Sequence, residues 1–158
     1  MSKSLIALLA TVAATALVVA GCGGSSDSTG TTGSLTKAEF VKQGNAICAE
    51  GAKELEEGFE EFAKEHNFSE NKQPTKAELT EASEEILIPG VRKQIEGIRD
   101  LGLPSEDGEE ADEALEAAEK ALEEGEEDPA AMATEDSGPF AKANKLAKEF
   151  GLTKCGEE

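Results

Sequence analysis

The chain has 158 residues, with 34 acidic against 15 basic side chains and a formal net charge of −19 at pH 7. Nucleic acid and anionic headgroups repel so acidic a surface, which excludes nucleic-acid binding. There is no Trp and no Tyr, and six Phe supply all the aromatic content, so the expected core is a thin one of Leu, Ile, Val, Ala and Phe.

Lys3 precedes an apolar run that begins at Leu5 and ends in small residues at Ala20 and Gly21. The run is too short to cross a bilayer comfortably, so it reads as a secretory signal over residues 1–21. At its end, Val19-Ala20-Gly21-Cys22 resembles the lipobox of bacterial lipoproteins: a branched aliphatic, two small residues, the acceptor cysteine, and a polar linker directly behind. The resemblance implies cleavage before Cys22, acylation of its thiol, and often a third acyl chain on the new amine. Two or three chains, at about 0.8 kcal/mol per buried methylene, hold a protein on a membrane almost permanently. The expected location is therefore the extracytoplasmic face of a cell membrane, with the lipid on Cys22 as the anchor. Cleavage removes only Lys3 among the charged residues, leaving 34 acids against 14 bases and a net charge of −20.

Residues 22–34 are almost entirely Gly, Ser and Thr with the single charge of Asp27. Such a composition cannot bury enough surface to order itself, and coil scaling gives a tether of about 20 Å. The remaining stretch, 35–158, is long enough for one small domain and too short for two.

Thr36-Lys37-Ala38-Glu39 has the spacing of a capping box, with Leu35 and Phe40 placed to staple the helix start. Behind it Val41, Gly44, Cys48, Gly51, Leu55, Gly58 and Phe62 recur at alternating three and four, which predicts one apolar or small face. Three glycines on that face each cost about 1 kcal/mol relative to Ala, so close approach of another helix is expected there. His66 reads as a solvated residue near the helix C-terminus. Pro74 stops any helix before it.

A second capping box, Thr75-Lys76-Ala77-Glu78, opens the next helix, with Leu79, Ala82 and Ile86 as its apolar positions. Pro89 removes an amide and disfavours helix at Ile88, so it either kinks one long helix or, the favoured reading because Pro89-Gly90 are poor interior residues, sits in the first turn of a new one, with Val91, Ile95 and Ile98 inward. Ser105 is the expected cap of a further helix whose stripe, Ala111, Leu115, Ala118 and Leu122, suits packing on the glycine face of the first. Gly125 is expected to close it, and the acidic run Glu123 to Asp128 reads as a solvated turn. A short turn of helix over Pro129 to Met132 leads to a last helix beginning near Ser137-Gly138-Pro139. Phe140, Ala143, Ala147 and Phe150 face inward there, and Gly151 is the left-handed cap that folds Leu152 back. The expected fold is thus all-α, a four- or five-helix bundle.

With Cys22 assigned to the lipid, Cys48 and Cys155 remain. Outside the membrane they can form a disulfide closing most of the domain, worth on the order of 4–5 kcal/mol. The competing reading is a two-cysteine metal site, which needs further ligands, and His66 is the only histidine. No catalytic triad, Glu-x-x-His pair, EF-hand loop or phosphate-binding glycine loop can be assembled, so the expectation is no enzyme, no resident metal and no cofactor.

Leu35 to Phe40 with Ile47-Cys48, then Leu101-Gly102-Leu103-Pro104, then Phe150-Gly151-Leu152 with Cys155, resemble a group of uncharacterised small lipoproteins of Actinobacteria. The resemblance implies a helical fold and pairing of Cys48 with Cys155, and it carries no activity. The expected function is a non-enzymatic module docking an envelope protein partner, with a carrier of a small ligand or divalent cation as the alternative. An exposed apolar patch would favour the first, and an interior cavity with convergent polar groups the second.

Overall fold

The computed structural model describes residues 34–69, 71–132 and 138–156. The expected signal, Cys22, nearly all of the tether and Ser137 lie outside the described residues.

Thr36 fixes where the first helix starts. Its hydroxyl accepts from the Glu39 amide at 3.3 Å while Glu39 Oε2 accepts from the Thr36 amide at 3.0 Å, and α1 runs Lys37–Glu65. Phe40, one turn in, is fully buried, and Leu35 packs against the same core. The second box closes in the same way: the Glu78 amide meets Thr75 Oγ1 at 3.2 Å and the Thr75 amide meets Glu78 Oε2 at 2.7 Å. It opens α2, Lys76–Ala82. Bonds from the Thr36 hydroxyl and amide hold the Glu39 carboxyl below the usual range, and bonds from the Thr75 amide and hydroxyl do the same for Glu78.

Pro89 does lie in the first turn of a helix, as expected, but that helix continues the one before it. The chain passes from α2 through one π-helical turn, Ser83–Leu87, directly into α3, Ile88–Arg99. Leu87 and Ile88 keep right-handed helical angles, so no break separates the two helices. The wider turn is the reason: the Ile88 amide donates to the Ser83 carbonyl five residues back, a register that makes room for a ring and for a missing amide.

Ser105 is a second correction, because its amide and hydroxyl both donate to the Leu35 carbonyl, at 2.8 and 3.3 Å. It therefore ties a loop to the start of α1 and caps nothing. The next helix, α4, begins three residues later as Gly108–Glu127, after Asp107 in the left-handed conformation at φ 56°. The Asp107 carboxylate takes the Lys37 ammonium at 2.7 Å, and that ammonium also lies 4.5 Å from the centre of the Phe150 ring. Gly125 does not end α4 either: it is buried inside the helix, and a side chain there would collide with Met132. The acidic run expected as a turn is accordingly the last turn of α4, capped at Asp128, with Glu126 paired to Arg92.

After α5, Pro129–Met132, a 3₁₀ turn at Gly138–Phe140 leads into α6, Ala141–Phe150. Pro139 thus lies in the 3₁₀ turn just ahead of the helix. Gly151 has φ 115°, and the Leu152 amide returns to the Ala147 carbonyl at 2.8 Å, as the cap pattern predicts.

The result is an all-α bundle without a strand among the described residues, and Thr32–Glu158 forms a compact unit of its own. One core cluster gathers Phe40, Cys48, Ile98, Leu115, Phe150 and Leu152, with Phe40 and Phe150 edge to face at 5.9 Å. Another gathers Ile88, Ile95, Leu122 and Met132. Arg99 forks onto Glu119, with Nε to Oε1 at 2.6 Å and Nη2 to Oε2 at 3.0 Å, and also pairs with Asp112, tying the end of α3 to α4.

The glycine face of α1 does admit close neighbours, but they are not α4. Gly44 faces Leu152, Gly51 faces Gln94 and Gly58 faces Ile86. A methyl group on Gly44 would sit 2.6 Å from Leu152 Cδ2. Leu152, carried back by the Gly151 turn, takes the space over Gly44, while α3 lies along the rest of α1 and α4 packs against α3 and α6. The stripe of α4 is shared: Ala111 and Leu115 join the cluster with Phe150, and Ala118 and Leu122 the one with Ile88 and Ile95.

Candidate functional site: an apolar pocket open to solvent

Where Phe40 meets Phe150, α1 and α6 are closed on each other. Further along, their facing side chains shrink to Ala52 on α1, Ala114 and Ala118 on α4, and Ala143 and Ala147 on α6. The short side chains leave a cavity of about 290 Å³. Its remaining walls are Leu55 from α1, Leu87 from the π turn, Val91, Ile95 and Ile98 from α3, then Met132, Phe140 and Leu152. The exposed residues on its lining are Ala52 and Lys154, which mark the rim.

Two half-buried side-chain amides interrupt this apolar lining, Gln94 on α3 and Asn144 on α6. Neither has a hydrogen-bond partner among the described residues, and since no buried side-chain polar atom there lacks one, both amides reach solvent. Gln94 is pressed against the bare backbone of Gly51, and Asn144 against Gly156. The glycines thus set where each amide sits: a side chain at either position would displace it.

Cys48 and Cys155 are joined as a disulfide with their Cα atoms 5.1 Å apart, which corrects the alternative of a two-cysteine metal site because both sulfurs are used in the bond. The bridge also forms part of the cavity wall. The C-terminal tail is held there by Asn45 as well, whose Nδ2 donates to the Gly151 carbonyl at 3.0 Å and whose Oδ1 accepts from the Lys154 amide at 2.8 Å. His66, expected to be solvated, is only partly so, with about a quarter of its side chain exposed. It stacks on Phe62 with ring centres 4.1 Å apart, lies 5.5 Å from Phe68, and has Nδ1 at 3.5 Å from Glu78 Oε1. The cause is Asn67, whose left-handed backbone turns Phe68 back over the end of α1. Among the described residues no group of three or more His, Cys, Asp or Glu is placed to hold a metal ion.

Sequence reasoning missed the cavity, Gln94 and Asn144. The available signal was a glutamine inside the apolar stripe Val91, Ile95, Ile98, and an asparagine between the inward alanines 143 and 147. No family model, curated protein or solved structure matches the chain.

Proposed function

We propose that this protein is a membrane-anchored carrier that holds a small apolar ligand between α1, α3, α4 and α6. The supporting observation is the cavity of about 290 Å³, apolar except for two amides and Lys154 at the rim, just under the ~300–1,000 Å³ range of ligand sites. Most of the affinity would come from apolar area removed from water, at about 25 cal/mol per Å². Gln94 and Asn144 would fix orientation. The docking-module alternative asks for a broad exposed apolar patch. Among the described residues the large exposed apolar side chains are Phe59, Leu79 and Leu103, which lie on α1, on α2 and in the loop before α4.

Thermal unfolding of residues 32–158 with a panel of apolar compounds tests the carrier. A ligand at a hundred times its Kd adds about 2.7 kcal/mol, a rise of several degrees for a domain of this size. Ala118→Leu, which fills the cavity from α4, should leave the protein folded and abolish the rise. If no compound of the panel raises the transition, the carrier is wrong.

The lipobox pattern at Val19 to Cys22 supports the anchor. Cells fed an alkyne analogue of palmitate should label the full-length chain and leave Cys22→Ser unlabelled. Equal labelling of both would remove the anchor from the proposal.

A further inference from the structure

We infer that Leu103 is a second membrane contact: the loop between α3 and α4 seats that side chain at the headgroup boundary of a zwitterionic bilayer, and the domain rests on the membrane by the end from which its anchor leaves. This rests on the Cys22 anchor proposed above and is independent of the carrier.

An exposed leucine is ordinary by itself, and here its position selects the occupant. The Ser105 amide and hydroxyl both hold the Leu35 carbonyl, at 2.8 and 3.3 Å. Leu103 is two residues from that bond, no more than about 7 Å of chain, so it stays beside the point where residues 22–34 join the domain. Its neighbours keep it outward. Leu101 packs against the core cluster of Phe40 and Phe150, Pro104 is buried, and Gly102 between the two leucines turns at φ 70°. Leu103 is left 39% exposed. Phe59 and Leu79 are each 38% exposed, but Phe59 lies about 33 Å from the start of α1, and Leu79 belongs to α2, which follows the far end of that helix. Of these three side chains only Leu103 stands at the anchored end.

The anchor supplies the rest. By their Gly, Ser and Thr content residues 22–34 span about 20 Å as a coil, more than the ~5–8 Å of a headgroup layer, so the loop reaches the acyl boundary without stretching the chain. Tethering makes the contact intramolecular, at an effective concentration in the millimolar range. One apolar side chain then suffices to orient the domain, since burial of a leucine favours the docked state about tenfold or more. The lipid must carry no net charge. Asp100, Glu106, Asp107, Glu109 and Glu110 flank the loop in sequence against Lys37 and Arg99, and anionic headgroups repel that excess.

The test uses full-length protein isolated from membranes, its acyl chains verified by intact mass, in phosphatidylcholine vesicles. The chain has no tryptophan, so Leu103→Trp and, at the far end, Leu79→Trp each give a single reporter at matched exposure. Lipid brominated on its acyl chains quenches an indole that enters the bilayer. Leu103→Trp emission should shift to shorter wavelength and lose most of its intensity, and Leu79→Trp emission should do neither. Phosphatidylglycerol mixed into the vesicles should reduce the loss, and 1 M salt, with a screening length of about 3 Å, should restore it. In the unsubstituted protein, amide exchange over residues 100–105 should be slower on vesicles than in residues 32–158 free in solution. An acylated chain in which Leu103→Trp is quenched no more than Leu79→Trp, or in which exchange at the loop is unchanged, overturns the inference and leaves the anchor standing. A shift that appears without vesicles and grows with protein concentration overturns it as well, because a second copy then covers the loop. A chain that carries no acyl group removes the anchor and the inference with it.

Discussion

Reducing the bond between Cys48 and Cys155 is expected to cost the domain about 4–5 kcal/mol. The two residues are 107 apart in sequence, so the bond constrains nearly the whole unfolded domain, and loop-closure entropy grows with the span closed. The charge adds to the effect. With 34 acidic residues in the chain, self-repulsion swells the unfolded state once the bond is gone, raising the entropy that folding must overcome. Out of a total that is about 5–15 kcal/mol for a domain, this is about a quarter or more. Urea unfolding of residues 32–158, with and without reductant and with both cysteines replaced by alanine, measures it. Reduced wild type and the double variant should share one lowered midpoint. A fall below ~1 kcal/mol would mean that Leu152 and the two Asn45 bonds already hold the tail, and that the covalent link is secondary.

Phe40→Ala is expected to cost about 3–5 kcal/mol. The ring is 0% exposed and sits edge to face on Phe150, so it joins the start of α1 to the end of α6. Its neighbour Ala111 is also fully buried and is too small to close the space left behind. Phe40→Leu keeps more of the volume and should cost less than half as much. Phe59→Ala serves as the control, since that ring is 38% exposed. Thermal unfolding of the three variants should rank them in that order. Phe40 does not line the cavity, so where a variant stays folded its ligand affinity should match that of wild type. Equal losses at Phe40 and Phe59 would contradict the core described above.

What was legible in the sequence was local. Both capping boxes, the Gly151 cap and the return of Leu152 depend on residues within a few positions of one another, and all four form as the pattern predicts. The expectations that failed depend on distant partners. Ser105 looks like a helix cap because serine usually caps, yet its bonds go to Leu35, seventy residues earlier. Gly125 looks like a terminator because nothing nearby in the sequence announces that Met132 will lie across it. Pro89 looks like a break because the compensating π turn is a backbone adjustment with no residue signature of its own.

The cavity was hidden for a related reason. A missing volume belongs to no single residue, and alanines that read as close packing on each of two helices leave a gap when a third wall stands behind them. The disulfide gave the opposite case. Once one cysteine is assigned to lipid, two remain, and the fold needs only to bring them together.

The bridge closes the bundle and is also part of the lining of the space inside it. A newly made chain with free thiols lacks the covalent part of that wall. If the chain is exported as its lipobox pattern suggests, the wall is completed only after the polypeptide reaches an oxidising compartment.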